Sequence, residues 1–302
     1  MGPGAGAPGP FFLVRANMAS SLEETMTIEN PKSETSDEKV TLLRPKLSFE
    51  TITFSDGTTL TLDDDDIVVF VGPNNAGKSA ALRELEEWVG SSHAGLVIKN
   101  ATVRQIGTTN DLRQYLEAKA QKIGATNSLR YAGIGYSIHS SHLTFFDTLS
   151  TRHTVSSFFA KRVTTETRIQ DSNAAPSLAL FRDPPTHPIH LLMMDPELTK
   201  DISNKFRHAF GKDLTPFRAG GSQFPLYVGE RPTTPAGKDE LSREFIEALQ
   251  SSNVMLETQG DGMRSFASVI LHVLAAQTHS IQFLTSRKLF SIRLKRGSSV
   301  VT

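Results

Sequence analysis

The chain contains no cysteine. A disulfide scaffold, a thiolate zinc site and a cysteine nucleophile are therefore excluded. It also lacks an excess of either charge: Lys and Arg together number 32, as do Asp and Glu. Overall basicity thus offers no route to nucleic acid, although a local patch would still serve. No apolar run approaches the ~18 residues needed to cross a bilayer. Near the N-terminus only Phe11-Phe12-Leu13-Val14 is apolar, too short for the core of a signal peptide. The expectation is a protein of the cytoplasm with no membrane association. What remains is 302 residues with 38% apolar and 21% charged side chains, enough for one large domain or two small ones.

Residues 1–46 open with Met-Gly-Pro-Gly-Ala-Gly-Ala-Pro-Gly-Pro and continue through a polar, charged stretch. Such composition buries too little to offset the entropy of ordering, so this segment is expected to be disordered. Order is expected from Leu47. Leu47–Phe54 alternates and is rich in β-branched and aromatic residues, Asp56-Gly57 supplies a turn, and Thr58–Leu62 returns. This pattern predicts an antiparallel hairpin. Asp63–Asp66 is a run of four acids, read as a solvated turn rather than a metal site. Ile67–Val71 is continuously apolar and predicts a fully buried strand.

Helical periodicity follows over about 78–89, where Ala81, Leu82, Leu85, Trp88 and Val89 share a face. Further helices are expected over 112–122, over 239–249 with Leu241, Phe245 and Leu249 on one stripe, and over 262–276. The inward residues of the last would be Phe266, Val269, Ile270, Val273 and Leu274.

Between the buried strand and the first helix lies Gly72-Pro73-Asn74-Asn75-Ala76-Gly77-Lys78-Ser79, a full match to G-x-x-x-x-G-K-[ST] in its proper strand–helix context. Glycines let backbone N–H groups wrap a phosphate, and the helix that follows points its positive end at the same anion. Lys78 would bridge the β- and γ-phosphates and Ser79 would ligate Mg²⁺, with Ala80 in the first helical turn beside them.

With the preceding hairpin, Val-Phe-Val-Gly-Pro-Asn-Asn-Ala-Gly-Lys-Ser resembles the ATPase heads of the OLD (overcoming lysogenization defect) type, within the ABC-type group that includes RecF and SMC heads. A second segment agrees: Gln259-Gly260-Asp261-Gly262-Met263-Arg264-Ser265-Phe266 is similar to the signature motif of that group, with Asp261 where a serine is usual. The acid is expected to turn away from phosphate and cap the helix. The resemblance implies an α/β P-loop NTPase head over 47–284, with an antiparallel hairpin at its edge and an inserted, largely helical lobe over about 125–258. It implies ATP and Mg²⁺ as cofactors, and a homodimer in which Gly262 of one subunit completes the ATP site of the other. A nucleic-acid partner is compatible with it. Among glutamines that would touch Mg²⁺, Gln105, Gln114 and Gln121 are not separated by sequence.

Such heads need a strand ending in Asp-Glu. Leu191-Leu-Met-Met-Asp195-Pro196-Glu197 offers a near match, but it precedes the signature and also fits a helix start with Asp195 as cap and Pro196 at the first position. The capping alternative is preferred. After the signature, His279–Leu284 reads as the required strand, yet Thr285–Thr302 holds Arg287, Lys288, Arg293, Lys295 and Arg296 and no acid. One guanine restored before the codon of Thr285, with suitable synonymous codons, would make the tail read D-E-P-E-A-F-L-H-P, the continuation that OLD-type heads have. The expectation is that 285–302 is an out-of-frame tail and that this chain binds ATP with impaired hydrolysis. A genuine basic tail contacting phosphate backbones is the competing reading. His139 with His142, and His187 with His190, lack a third ligand and are read as polar surface residues. Two other functions stay open: a P-loop phosphotransferase acting on a small molecule, and a non-catalytic module whose association depends on nucleotide.

Overall fold

The computed structural model describes residues 12–17, 42–64, 66–91, 94–179, 182–219, 221–275 and 279–285, the first of these and 149, 150 and 275 as backbone only. In chain order the first half contains β1 (Phe12–Asn17), β2 (Lys46–Phe54), β3 (Thr59–Thr61), β4 (Asp66–Val71), α1 (Lys78–Gly90), β5 (Ile98–Ile106), α2 (Thr109–Lys119), β6 (Gln121–Ile123), β7 (Arg130–Gly133), β8 (Tyr136–His139), α3 (Ser156–Phe159) and β9 (Ala160–Val163). There follow α4 (Thr165–Gln170), β10 (Ala175–Pro176), α5 (Pro188–Met194), α6 (Pro196–Phe210), β11 (Asp213–Pro216), β12 (Gln223–Phe224) and β13 (Leu226–Gly229). The last elements are α7 (Arg243–Ser252), β14 (Val254–Met255), α8 (Asp261–Ile270) and β15 (Ile281–Leu284). The architecture is mixed α/β, with small sheets and several helices. No described helix is long and apolar enough to cross a membrane.

The hairpin forms as its residues dictate. β2 pairs antiparallel with β3, and Gly57 turns the chain at φ 86°, a conformation side chains resist. Asp56 Oδ1 accepts the Thr58 N–H to hold that turn. β5 adds to the other edge of β2, a pairing the local pattern does not announce. The acids after β3 behave as a turn: Asp63 donates its N–H to Asp66 Oδ2, and Asp64 accepts from Ser48 and Arg104.

Two large apolar cores and a small one of Tyr227, Phe245 and Leu249 form among the described residues. The first joins Leu47, Ile52 and Phe54 of β2 to Ala81, Leu85 and Trp88 of α1, and continues through Tyr131, Ile138, Phe146 and Phe158. The second gathers Ile189, Leu192, Ile202, Phe206, Leu226, Ala267 and Leu271.

Several expectations are corrected. Phe12–Asn17 lies within the segment expected to be disordered, yet it forms a strand antiparallel to β4. A strand edge presents free N–H and C=O groups, and a short β-prone segment can satisfy them. Residues 1–11 and 18–41 lie outside the described residues. β4 is half-buried rather than fully buried, with Ile67 39% exposed, because β1 is its one strand partner among the described residues. The lobe expected from about 125 begins later in packing terms, since Tyr131 through Ala160 belong to the first core. Its interior mixes helices with the sheet β11–β13–β14 and the pair β10–β12 rather than being largely helical. The helix expected over 239–249 runs Arg243–Ser252, which leaves Leu241 outside it and 56% exposed. The helix expected over 262–276 is α-helical only to Ile270 and widens into a π turn at Leu271–Ala275. That wider turn rotates the face, so Leu271 is buried and Val273 is 38% exposed. The final strand forms as Ile281–Leu284 and pairs parallel with β9. The tail over 286–302 lies outside the described residues.

Candidate phosphate-binding loop

β4 delivers the chain into the loop and α1 receives it. Ala76 is buried and its N–H donates to the Pro73 carbonyl at 3.3 Å, which tightens the turn. Asn75 stands at φ 64° and Gly77 at φ 87°, two left-handed residues that turn the loop back on itself. Asn75 is the described non-glycine residue that accepts this strain. Gly72 and Gly77 are half-buried, Pro73, Asn74 and Asn75 exposed.

α1 starts without protection. No side chain caps it, and no acid occupies its first turn. The first intrahelical bond is Ala81 N–H to Gly77 carbonyl at 2.8 Å. The amides of Gly77, Lys78, Ser79 and Ala80 therefore have no partner within the helix. Lys78 folds back over the loop, its Nζ donating to the carbonyls of Gly72 at 2.9 Å and Pro73 at 2.6 Å. That ammonium is held by two neutral carbonyls at the positive end of a helix, with no carboxylate partner among the described residues, an arrangement that favours an anion. Ser79 is exposed and Ala80 half-buried on the first turn.

The acids of α1 come later and serve the scaffold. Glu84 accepts the N–H groups of Leu96, Val97 and Ile98 at 3.0, 2.9 and 2.7 Å. Gly95 is required beside it, because a Cβ there would stand 2.1 Å from Glu84 Oε2. Glu86 pairs with Arg162 of β9. Nothing in the sequence pattern separates these two glutamates from ordinary solvated ones.

Fit to Mg²⁺ is partial. Ser79 offers a hydroxyl at the right end of the helix. The carboxylates Asp63, Asp64 and Asp66 lie at or before the opposite end of β4, and no cluster of three metal-ligating side chains exists among the described residues. A cation there would rest on Ser79 and on the phosphates themselves.

The second motif takes a different form from the expected one. Gly260 is the N-cap of α8, Asp261 is the first helical residue and exposed, and Gly262 follows half-buried. Asp261 does not cap the helix, since its side chain accepts no N–H of that turn. α8 packs in the second core and α1 in the first.

Asp195 does what its sequence context predicts. Leu191 lies in α5 rather than in a strand, and Asp195 accepts the Leu198 N–H at 3.0 Å as the cap of α6, with Pro196 behind it. The glutamines also separate. Gln105 is engaged at both ends, donating to Asp147 at 2.8 Å and accepting from Arg152 at 2.7 Å. Burial raises the Asp147 carboxyl, but the hydrogen bonds from Thr109 and Gln105 and the nearby Arg152 leave it below its ordinary value. Gln121 is held by the Arg182 carbonyl, and Gln114 is exposed on α2. His139 and His142 lie ring to ring at 5.6 Å, with no third metal-ligating side chain among the described residues.

His190 is not a surface residue, and His187 is half-buried rather than exposed. His190 is fully buried, its Nδ1 accepting the N–H groups of Thr186 and His187 and its Nε2 facing the Pro176 carbonyl at 2.8 Å. His187 caps α5 by accepting the Ile189 N–H. Burial, with help from His190 and His272, lowers its pKa to about 4, against the opposing pull of Asp171.

Comparison with models of known protein families, with curated proteins and with solved structures finds no match.

Proposed function

We propose that the chain is a nucleotide-binding protein that takes ATP at Gly72–Ser79, in the manner of a P-loop head of the OLD/ABC type. The observation that carries the reading is the bare start of α1. Four consecutive amides without a helical partner, a left-handed Asn75 and Gly77, and the Lys78 ammonium lie on the same short loop, with no side-chain cap and no acid in the first helical turn. Backbone donors and the helix dipole favour an anion there, and Lys78 exchanges its two carbonyls for phosphate oxygens. Asn74 and Asn75 border the loop, Ser79 offers its hydroxyl to a phosphate-bound Mg²⁺, and Ala80 contributes an amide. In an assembled pair, Gly262 of one copy would face the γ-phosphate held by the other.

Turnover is expected to be weak. Strand β15 ends at Leu284, and no acidic residue occurs from Thr285 to Thr302. No carboxylate pair therefore follows that strand to orient an attacking water. The decisive experiment is equilibrium titration of the folded chain with fluorescent ATP and Mg²⁺. Saturable binding that Lys78→Ala weakens about a hundredfold, with little phosphate release, is the expected result. Absence of saturable binding overturns the reading, and brisk hydrolysis abolished by Lys78→Ala overturns the expectation of weak turnover. A phosphotransferase would instead show phosphate transfer to an added acceptor.

A further inference from the structure

The segment from Ala160 to Ala174 touches the helix that follows the first motif and the start of the second. At one end, β9 packs on α1 and its Arg162 pairs with Glu86 of that helix. At the other, the turn after α4 is bonded to the chain on both sides of Gly260–Gly262. Before it, Glu257 accepts the Ala174 N–H at 3.1 Å. After it, Arg264 donates to the Ile169 carbonyl at 3.0 Å, Ser172 Oγ at 2.9 Å and Asn173 Oδ1 at 2.7 Å. One helical stripe further along, His272 meets Asp171 at 2.7 Å. The start of α8 is thus stapled at two flanks to Ile169 at the end of α4 and to Ser172, Asn173 and Ala174 in the turn after it.

The piece between these ends is stiff for its size. Thr164 and Thr167 cap α4 reciprocally, each side chain bonding the other's N–H. Arg168 is buried, and its guanidinium bonds the Thr164 carbonyl and Thr165 hydroxyl. β9 is held in parallel register by β15. A displacement of α1 therefore has a direct mechanical path to the glycines of α8.

We propose that β9, α4 and the 171–174 turn act as one connector that sets the start of α8 according to the position of α1, with Arg162 and Arg264 as its positioning residues. The inference rests on the reading of Gly72–Ser79 as the phosphate loop. Hydrogen exchange on the full chain tests it, with ADP and Mg²⁺ as the probe, because ADP fills the loop without a γ-phosphate to recruit a second copy. In the native chain ADP slows exchange in peptides covering 72–80 and also in those covering 261–265, by about fivefold or more. In Arg264→Ala the loop remains protected while 261–265 no longer responds. Arg264→Lys, which keeps the charge but not the fork of donors, shows the same loss and guards against a folding defect. Glu86→Arg also loses the response, and Glu86→Arg with Arg162→Glu recovers it. A protected loop with an unresponsive 261–265 in the native chain, or an unchanged response in Arg264→Ala, overturns the connector and leaves the loop reading standing. An unprotected loop in the native chain overturns both.

Discussion

Two regions of this molecule begin helices in opposite ways. α5 and α6 each start with a residue followed by proline, His187-Pro188 and Asp195-Pro196, and each preceding side chain accepts an amide of the first turn. Proline at the first position removes one donor outright, and the cap satisfies another. α1 starts at Gly77-Lys78 with neither device. Its nearest acid, Glu84, sits beyond the first turn and is occupied with the amides of Leu96, Val97 and Ile98. The first pair of helices closes its ends for stability. The third leaves its end open, and an open end of positive potential in a loop carrying a lysine is where an anion gains most.

The largest test concerns where the acid of α1 is spent. Glu84→Ala leaves three amides without their charged acceptor, at about 2–4 kcal/mol in total. Chemical denaturation should show that loss, and the entry of β5 should gain exchange. If stability is unchanged, water replaces Glu84 and the acid is not committed to the scaffold.

The closed end at His187 supplies the next. Its pKa of about 4 lies below the ordinary 6.5 of an unfolded histidine. The unfolded chain therefore takes up the proton first as pH falls. Stability contributed by neutral His187 is complete above about pH 6.5 and is lost progressively down to about pH 4, amounting to roughly 3 kcal/mol. His187→Asn keeps an acceptor at the cap without titrating, so its stability between pH 6.5 and 4 should fall less steeply than that of the native chain. Parallel curves would place the proton elsewhere.

How much of this was legible in the sequence follows from the range of the interactions. The hairpin, the turn between β4 and α1, α1 itself and the Asp195 cap are specified by residues within a few positions of one another, and each stands where its pattern predicts. β5 on β2, β9 beside β15 and the Glu84 cradle join residues far apart in sequence, and no local period encodes them. The π turn at Leu271–Ala275 carries no compositional mark, so the helical face assigned beyond Ile270 was rotated. The histidines at 187 and 190 were misread for a related reason: burial depends on what packs around α5, and that comes from Pro176, Phe224 and His272. Within the loop, backbone conformation followed from glycine and asparagine chemistry. The two-sided attachment of Gly260–Gly262 to the 171–174 turn depends on long side chains reaching across the fold.

At the open end, Lys78→Ala removes a charged donor from the anion. Affinity for ATP should fall about a hundredfold, the equivalent of one or two charge-assisted hydrogen bonds, while thermal stability stays close to native. Lys78 gives its present bonds to carbonyls at the surface of the loop, which water can serve as well. A loss below about threefold would mean that the loop amides alone hold the nucleotide.

The smallest effects in stability separate the two kinds of helix start most sharply. Asp195→Ala removes the α6 cap and should cost about 1 kcal/mol, with nucleotide affinity unchanged. Ser79→Asp does the converse. It places a carboxylate in the exposed first turn of α1, where the helix dipole stabilises it by about 0.3–1 kcal/mol. The same charge occupies the ground an anion would take and repels phosphate. The chain should become slightly more stable and lose ATP binding together. A capped helix gains less from a further acid, because fewer of its first-turn donors stay open. If Ser79→Asp lowers stability, or leaves ATP affinity intact, then the start of α1 is not the vacant positive end on which the comparison turns.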